Sequence, residues 1–131
     1  MAKYKYITEY EIRASVKMIY PYLATASGLQ EWLADEVNIN PDKTLTITWD
    51  DGDTYLAKVL SNRNNHHIKY EFTNTKDEEG NCNTLEFKVD YNELTQSSFL
   101  RIFDVSEMDD EEELKELWGH LVEHLREILG A

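Results

Sequence analysis

Cysteine, proline, glycine and cationic side chains are all scarce in this sequence. Its 131 residues include one cysteine, two prolines and five glycines. Lysine and arginine total 13 against 26 aspartates and glutamates, which gives a formal net charge of -13. A lone Cys82 excludes an intrachain disulfide and a cysteine-rich zinc site. So acidic a chain also argues against binding to nucleic acid or to anionic lipid, because both need a cationic protein surface.

Long apolar runs are missing as well. No run approaches the roughly 18 residues that a membrane-spanning helix requires, and residues 1–6 lack the apolar core of a signal peptide. We therefore expect no membrane insertion and a cytoplasmic location. A chain of this length suits a single domain over residues 1–131, which would bury roughly two thirds of its surface.

The first part of the chain predicts one strand followed by two short helices. Residues 3–13 alternate between aromatic or β-branched side chains and charged ones, which is typical of a strand. Ser15 can cap a first helix, which Pro21 would end early, and Ser27 can begin a second one. The apolar residues that define the two helices are Val16, Ile19, Tyr20, Leu29, Trp32 and Leu33.

Residues 36–105 are dominated by alternating apolar and polar side chains, which predicts about six strands. Turns are expected at 50–53 and 62–65, and a polar, acidic loop at 75–83 would leave Cys82 as a surface thiol. Residues 98–105 carry large apolar side chains on both faces of the expected strand. The sequence therefore does not decide which of the two faces points into the core. The predicted strand segments are 37–39, 44–49, 54–60, 68–73, 85–91 and 98–105.

Residues 109–129 predict one long helix with a single apolar face. Asp109 or Asp110 can cap its start, and Gly130 can end it. The apolar face consists of Leu114, Leu117, Trp118, Leu121, Val122, Leu125, Ile128 and Leu129. Such a helix must bury its face on the sheet. We therefore predict an α+β fold in which a curved antiparallel sheet of about six or seven strands wraps around the long C-terminal helix.

Several short motifs resemble the START-like branch of the helix-grip superfamily. The most specific is residues 27–35, which read Ser-Gly-Leu-Gln-Glu-Trp-Leu-Ala-Asp, with Leu33 where phenylalanine is common. Residues 47–50, Phe103-Asp104, Leu117-Trp118 and Leu129-Gly130 also fit. The sequence looks closest to a small START-like family typical of Bacteroidetes. It is more distantly similar to Aha-type activator domains of the heat-shock ATPase, polyketide cyclases and birch-pollen-allergen proteins.

The resemblance implies an apolar cavity between the sheet and the C-terminal helix, suited to lipid-like or polyketide-like ligands. Tyr70 or Arg101 is the expected polar anchor of such a ligand. The residues predicted to line the cavity are Trp32, Leu33, Trp49, Tyr70, Phe72, Phe87, Arg101, Phe103, Trp118, Leu121 and Leu125. The leading hypothesis is therefore non-catalytic binding of a small hydrophobic or amphipathic molecule, without cofactor or metal.

Features that could support other functions have simpler explanations. His120 and His124 share a helix face, but two histidines without a third ligand are weak evidence for a metal. Glu71, Glu86 and Asp90 fall on the polar side of their strands, so we expect them to face solvent rather than to form a catalytic pair. No nucleophile, phosphate-loop or dinucleotide motif occurs, so catalysis is the less favoured alternative.

The acidic segment 104–113 supports a second alternative, a protein-interaction module that meets a basic partner. It would resemble the Aha-type co-chaperone domain in role. Glu111, Glu112 and Glu113, however, already have a local role at the start of a helix, where the helix dipole favours anions. We therefore rank a protein partner below a small ligand and above catalysis.

Overall fold

A computed structural model describes residues 3–49, 52–76 and 82–131. It contains seven strands and three helices in the order that the sequence patterns predict. In chain order these are β1 (Tyr4–Ile12), α1 (Val16–Ala24), α2 (Ala26–Trp32), β2 (Glu36–Ile39), β3 (Leu45–Thr48), β4 (Thr54–Arg63), β5 (His67–Asn74), β6 (Cys82–Asn92), β7 (Ser97–Ser106) and α3 (Glu111–Leu129).

The seven strands form one antiparallel sheet in the order β1-β7-β6-β5-β4-β3-β2. Six of the strands follow one another as a meander, while β1 lies beside β7, with Tyr4 paired to Ser106 and Ile12 to Ser98. Because α3 presents its apolar face to this sheet, the predicted α+β helix-grip fold is confirmed. No helix in the described ranges is long and apolar enough to cross a membrane.

The side chains of the central strands alternate between a buried and a more exposed face. The buried face carries Ile68, Tyr70, Phe72, Leu85, Phe87, Val89, Leu100 and Ile102. Glu71, Glu86 and Asp90 lie on the opposite face, as their parity predicts. Leu114, Trp118, Val122 and Leu125 of α3 are buried against this core. The core therefore sits between one sheet face and the helices.

The two short helices differ from their predicted bounds. Pro21 lies inside α1, which continues to Ala24 instead of ending near Tyr20. α2 is capped by Thr25 rather than by Ser27, since the Thr25 hydroxyl donates to the Pro21 carbonyl at 2.7 Å and accepts from the Gly28 N–H at 2.9 Å. One threonine thus ends the first helix and begins the second.

Two other predictions need correction. β4 runs to Arg63, with a register shift between Val59 and Ser61, so it extends into the predicted turn at 62–65. Cys82 begins β6 rather than lying in a surface loop; it is half-buried, and its sulfur lies 3.4 Å from the Thr73 hydroxyl. Parts of the predicted turn 50–53 and loop 75–83 lie outside the described residues.

α3 begins and ends as predicted. The Asp110 carboxylate accepts from the Glu113 N–H at 3.2 Å, which makes Asp110 the N-cap. Gly130 ends the helix with a φ of 71°, a left-handed conformation that glycine adopts at little cost. The first turn carries Glu111, Glu112 and Glu113 at the positive end of the helix dipole.

Candidate functional site

A cavity of about 420 Å³ lies between the buried face of the sheet and α3. Five strands or strand ends, the end of α2 and one face of α3 contribute to its wall. The described lining residues are Leu33, Trp49, Asp53, Tyr55, Phe72, Asn83, Thr84, Leu85, Asp104, Ser106, Met108, Leu114, Leu117, Trp118 and Leu121. Met108 and Leu117 are exposed, so they mark the side of the cavity that meets solvent.

Three aromatic rings form one wall of the cavity. The Trp49 and Tyr55 centroids lie 5.4 Å apart in an edge-to-face arrangement, and Phe72 lies 6.4 Å from Trp49 and 6.3 Å from Tyr55. The Trp49 indole N–H donates to the Leu33 carbonyl at 2.9 Å, which ties this wall to the end of α2. The rings are thus held by mutual packing and by one hydrogen bond.

A carboxylate faces the cavity from β7. Asp104 has the same strand parity as Leu100 and Ile102, so its side chain points to the buried face. Its Oδ2 accepts from the Trp118 indole N–H at 2.9 Å. Burial raises the pKa of Asp104, while hydrogen bonds from Trp118 and Ser106 lower it by a smaller amount. The desolvated carboxylate therefore lies directly against an aromatic lining residue.

The cavity also has other polar lining groups. Asp53, Asn83, Thr84 and Ser106 join Asp104 in its wall. Lys3 lies outside the lining set, but its ammonium donates to the Asn83 side chain at 2.9 Å and pairs with Glu107 at 3.4 Å. The cavity therefore combines apolar walls with a limited number of polar groups, as small-molecule sites do.

The predicted site residues separate into three groups. The structure brings Leu33, Trp49, Phe72, Trp118 and Leu121 together around the cavity. Four others are buried in the core and do not line the cavity, namely Trp32, Tyr70, Phe87 and Leu125. The remaining two, Arg101 and Phe103, lie on the opposite face of the sheet.

Tyr70 does not provide the expected anchor, because its hydroxyl is already used inside the core. It donates to the Leu23 carbonyl at 2.6 Å, which joins β5 to α1. Burial raises the pKa of this phenol, so Tyr70 stays a neutral donor. Trp32 plays a similar structural part, since its indole N–H donates to the Tyr22 carbonyl at 2.8 Å.

Arg101 and Phe103 are corrections to the predicted site. Leu100 and Ile102 face the core, so the intervening Arg101 and the following Phe103 must face the other way. Arg101 is exposed and pairs with Glu9 at 2.9 Å. Phe103 lies beneath the ammonium of Lys88, 5.2 Å from the ring centroid. Large apolar side chains on both faces of this strand concealed its parity in the sequence.

Asp104 is the functional candidate that the sequence analysis missed. In the sequence it belongs to the acidic segment 104–113, which predicts at most a surface for a basic partner. Period-two counting from Leu100 and Ile102 would have placed Asp104 inward. Tyr55, Leu85 and Leu114 also line the cavity without having been predicted there.

The other candidate groups form no site in the described part of the chain. His120 and His124 are exposed on α3, away from the buried stripe of that helix. Among the described residues, no three His, Cys, Asp or Glu side chains are grouped so that they could hold a metal ion. The cavity thus remains the main candidate site.

Comparison with known proteins supports the fold and assigns a family. The profile described as a START-like superfamily domain matches residues 1–131. No curated protein matches the sequence. The chain belongs to the START-like superfamily.

Several solved structures have the same fold as this chain. The solution structure of BfR322 from Bacteroides fragilis is 34% identical, with a TM-score of 0.63 over 98% of this chain and 93% of that one. The Aha1 dimer from Colwellia psychrerythraea is 17% identical, with a TM-score of 0.73 over 94% and 93%. DynU16, from the dynemicin biosynthetic locus, is 12% identical, with a TM-score of 0.78 over 97% of this chain and 47% of that one.

Proposed function

We propose that this domain binds a small apolar or amphipathic molecule in the cavity between the sheet and α3, without converting it chemically. The observation that carries the proposal is the cavity itself. Its volume of about 420 Å³ falls within the roughly 300–1,000 Å³ typical of small-molecule sites. Its wall is mostly apolar and aromatic, and it opens beside the exposed side chains of Met108 and Leu117.

The packing around the cavity supports a preformed site. Trp49 is held by its hydrogen bond to Leu33 and by contact with Tyr55 and Phe72. Trp118 is held by Asp104 and packs edge-to-face against Phe87 at 6.1 Å. Rings fixed before binding lose little conformational entropy when a ligand arrives, which favours affinity. The apolar wall would then supply binding energy through the area it removes from water.

A cavity-filling variant tests the proposal. Leu121→Trp adds volume at a half-buried lining position, and it should abolish binding of lipids and aromatic polyketides measured by native mass spectrometry. Leu94→Trp is the matched control, because Leu94 is 96% exposed and does not line the cavity. Circular dichroism checks that both variants fold. Equal ligand binding by Leu121→Trp and the wild type would refute the proposed site.

We also propose that the domain is not an enzyme. Two carboxylates, Asp53 and Asp104, line the cavity, so a hydrolytic or cyclase-like reaction is the alternative that these residues raise. Asp104 is already tied to Trp118, and the described lining residues include no histidine, cysteine or lysine that could act with it. Molecules recovered after prolonged incubation with the protein should match a protein-free incubation in mass and chromatographic retention; a difference in either would establish catalysis.

A protein-interaction role is the second candidate, and the likeness to the Aha1 dimer favours it. Glu111, Glu112 and Glu113 are exposed and could meet a basic surface. Charge complementarity of this kind mainly raises association rates and weakens with salt. A salt-dependent pull-down with all three changed to Gln tests it. Loss of a specific partner supports this role, and retention of every partner leaves these residues as a helix start only.

A further inference from the structure

The charged side chains that line the cavity are all of one sign. Asp53 and Asp104 are both acidic, and the described lining residues include no lysine, arginine or histidine. A purely apolar ligand needs no charged group in its site, and a fatty-acid-like ligand would need a cation or several hydrogen-bond donors for its carboxylate. This cavity instead offers carboxylate oxygens among aromatic rings.

Asp104 is placed to interact with a bound molecule. It projects from β7 toward the cavity, and the Trp118 indole N–H occupies one site on its Oδ2. An ionised carboxylate has about four acceptor sites, so one indole donor and the Ser106 hydroxyl do not exhaust it. A ligand donor can therefore join the existing hydrogen bonds without displacing Trp118.

The aromatic wall favours the same kind of ligand. Trp49, Tyr55 and Phe72 are mutually packed, with centroids 5.4 to 6.4 Å apart. The face of an aromatic ring attracts cations through the ring quadrupole. The attraction is strongest for tryptophan, and it increases where water is excluded. Trp118 contributes a further indole on the α3 side of the cavity. Aromatic walls and carboxylates thus both attract positive charge.

A described cation that contacts a lining residue is Lys3, which also forms an ion pair outside the lining. Lys3 pairs with Glu107 and bonds the amide of Asn83, and it does not line the cavity. An anionic ligand head would therefore approach Asp104 with no cation among the described lining residues to offset the repulsion. Like charges in a poorly solvated site repel strongly, whereas an ammonium group would form a charge-assisted hydrogen bond.

We propose that the cavity selects an amphipathic ligand with a cationic amine head, held by the Asp104 carboxylate, over neutral and carboxylate-headed ligands of the same chain length. This inference rests on the proposed ligand-binding function and adds the chemical class of the ligand. The apolar chain contacts the aromatic and aliphatic walls, and the ammonium group donates to Asp104.

Three probes that differ only at the head group test this inference. Dodecylamine, dodecanol and dodecanoate are titrated into the full chain by isothermal calorimetry, below the concentrations at which they form micelles. We expect the amine to bind about ten-fold or more tightly than the alcohol, as a hydrogen bond to a charged group allows. The carboxylate should bind most weakly.

Asp104→Asn keeps the shape of the side chain and an acceptor for Trp118 but removes the charge. It should abolish most of the amine preference, measured as the ratio of the amine and dodecanol affinities. Asp90→Asn is the matched control, because Asp90 is exposed on β6 and its loss changes net charge equally. It should retain the preference.

The outcomes separate the inference from the function beneath it. If dodecanol binds the wild type but the amine binds no more tightly, the selectivity is refuted and the apolar site stands. If Asp104→Asn and Asp90→Asn weaken amine binding equally, general charge attraction explains the preference and the inference fails. If none of the three probes binds the wild type, both the inference and the proposed function fail.

Discussion

The Trp118 indole N–H donates to the Asp104 Oδ2 at 2.9 Å, and this contact joins α3 to β7 at the wall of the cavity. The indole ring also packs against Phe87, so Trp118 connects the polar and apolar parts of the site. A desolvated carboxylate depends on such donors, since losing one leaves acceptor capacity unmet. The pair is therefore both a structural link and a feature of the candidate site.

Trp118→Phe should lower the free energy of unfolding through this pair. Removing the indole N–H leaves the Asp104 carboxylate short of a donor, a loss of about 1–3 kcal/mol beyond the cost of the smaller ring. Urea denaturation of wild type, Trp118→Phe, Asp104→Asn and the double variant gives the coupling energy. Residues in one hydrogen-bond network couple by about 0.5–3 kcal/mol; additive effects would show that the contact contributes little to stability.

Asp104→Asn should change the pH dependence of stability in a defined direction. Burial raises the pKa of Asp104 above its ordinary 3.8 in the folded chain, so the native state holds this proton more tightly than the unfolded state does. Ionising Asp104 as pH rises through the folded pKa therefore lowers wild-type stability relative to the variant. The stability difference, variant minus wild type, should increase with rising pH and then level off.

Urea midpoints measured from acidic to neutral pH give this difference. Asp90→Asn again serves as the control, since Asp90 is exposed and shares the charge change. A difference curve that stays flat, or that decreases with rising pH, would contradict a desolvated Asp104.

Gly28→Ala should strongly destabilise the junction between α1 and α2. A Cβ at position 28 would lie 2.1 Å from the Pro21 carbonyl oxygen and 2.7 Å from the Tyr22 Cα, so the backbone of α1 would have to move. We expect a loss of about 1–3 kcal/mol, as for other overpacked sites. Thermal and urea unfolding measure it.

Gly119→Ala is the matched comparison within α3. A Cβ there meets only the Tyr10 hydroxyl, at 4.0 Å, so no clash opposes it. Alanine in a helix interior is favoured over glycine by about 1 kcal/mol, and this variant should be more stable than the wild type. If Gly28→Ala raised stability as much as Gly119→Ala does, the helix junction would be shown to tolerate a side chain at position 28.

The order of elements was predictable because each strand and helix carries its own period. In β5 and β6, Tyr70 and Phe87 must point to the core, because the opposite orientation would expose these large rings to solvent. The inward face of both strands therefore follows from the sequence. β7 was different, since Phe99 and Phe103 compete with Leu100 and Ile102 for the core. The register with β6 decides which of these side chains point to the core, and that register exists only in the assembled sheet.

The helix caps and the cavity were harder to predict for a related reason. Ser27 and Thr25 are both good capping residues, and Thr25 prevails because its hydroxyl also reaches the Pro21 carbonyl. Whether Tyr70 or Trp49 meets empty space depends on how much volume the helices leave above the sheet. That volume results from packing over the whole core, and no local pattern encodes it.

The pairing of β1 with β7 has a consequence for how the chain acquires its fold. Tyr4 pairs with Ser106, so β1 has no neighbour in the sheet until β7, the last of the seven strands in chain order, has been made. Helix-rich domains close mostly local contacts, whereas pairings this distant in sequence slow folding. Until β7 arrives, the nine residues of β1 present unpaired backbone groups that could pair with other chains. The strand carries three exposed charged side chains, Lys5, Glu9 and Glu11. Their charge opposes pairing with other chains before β7 is in place.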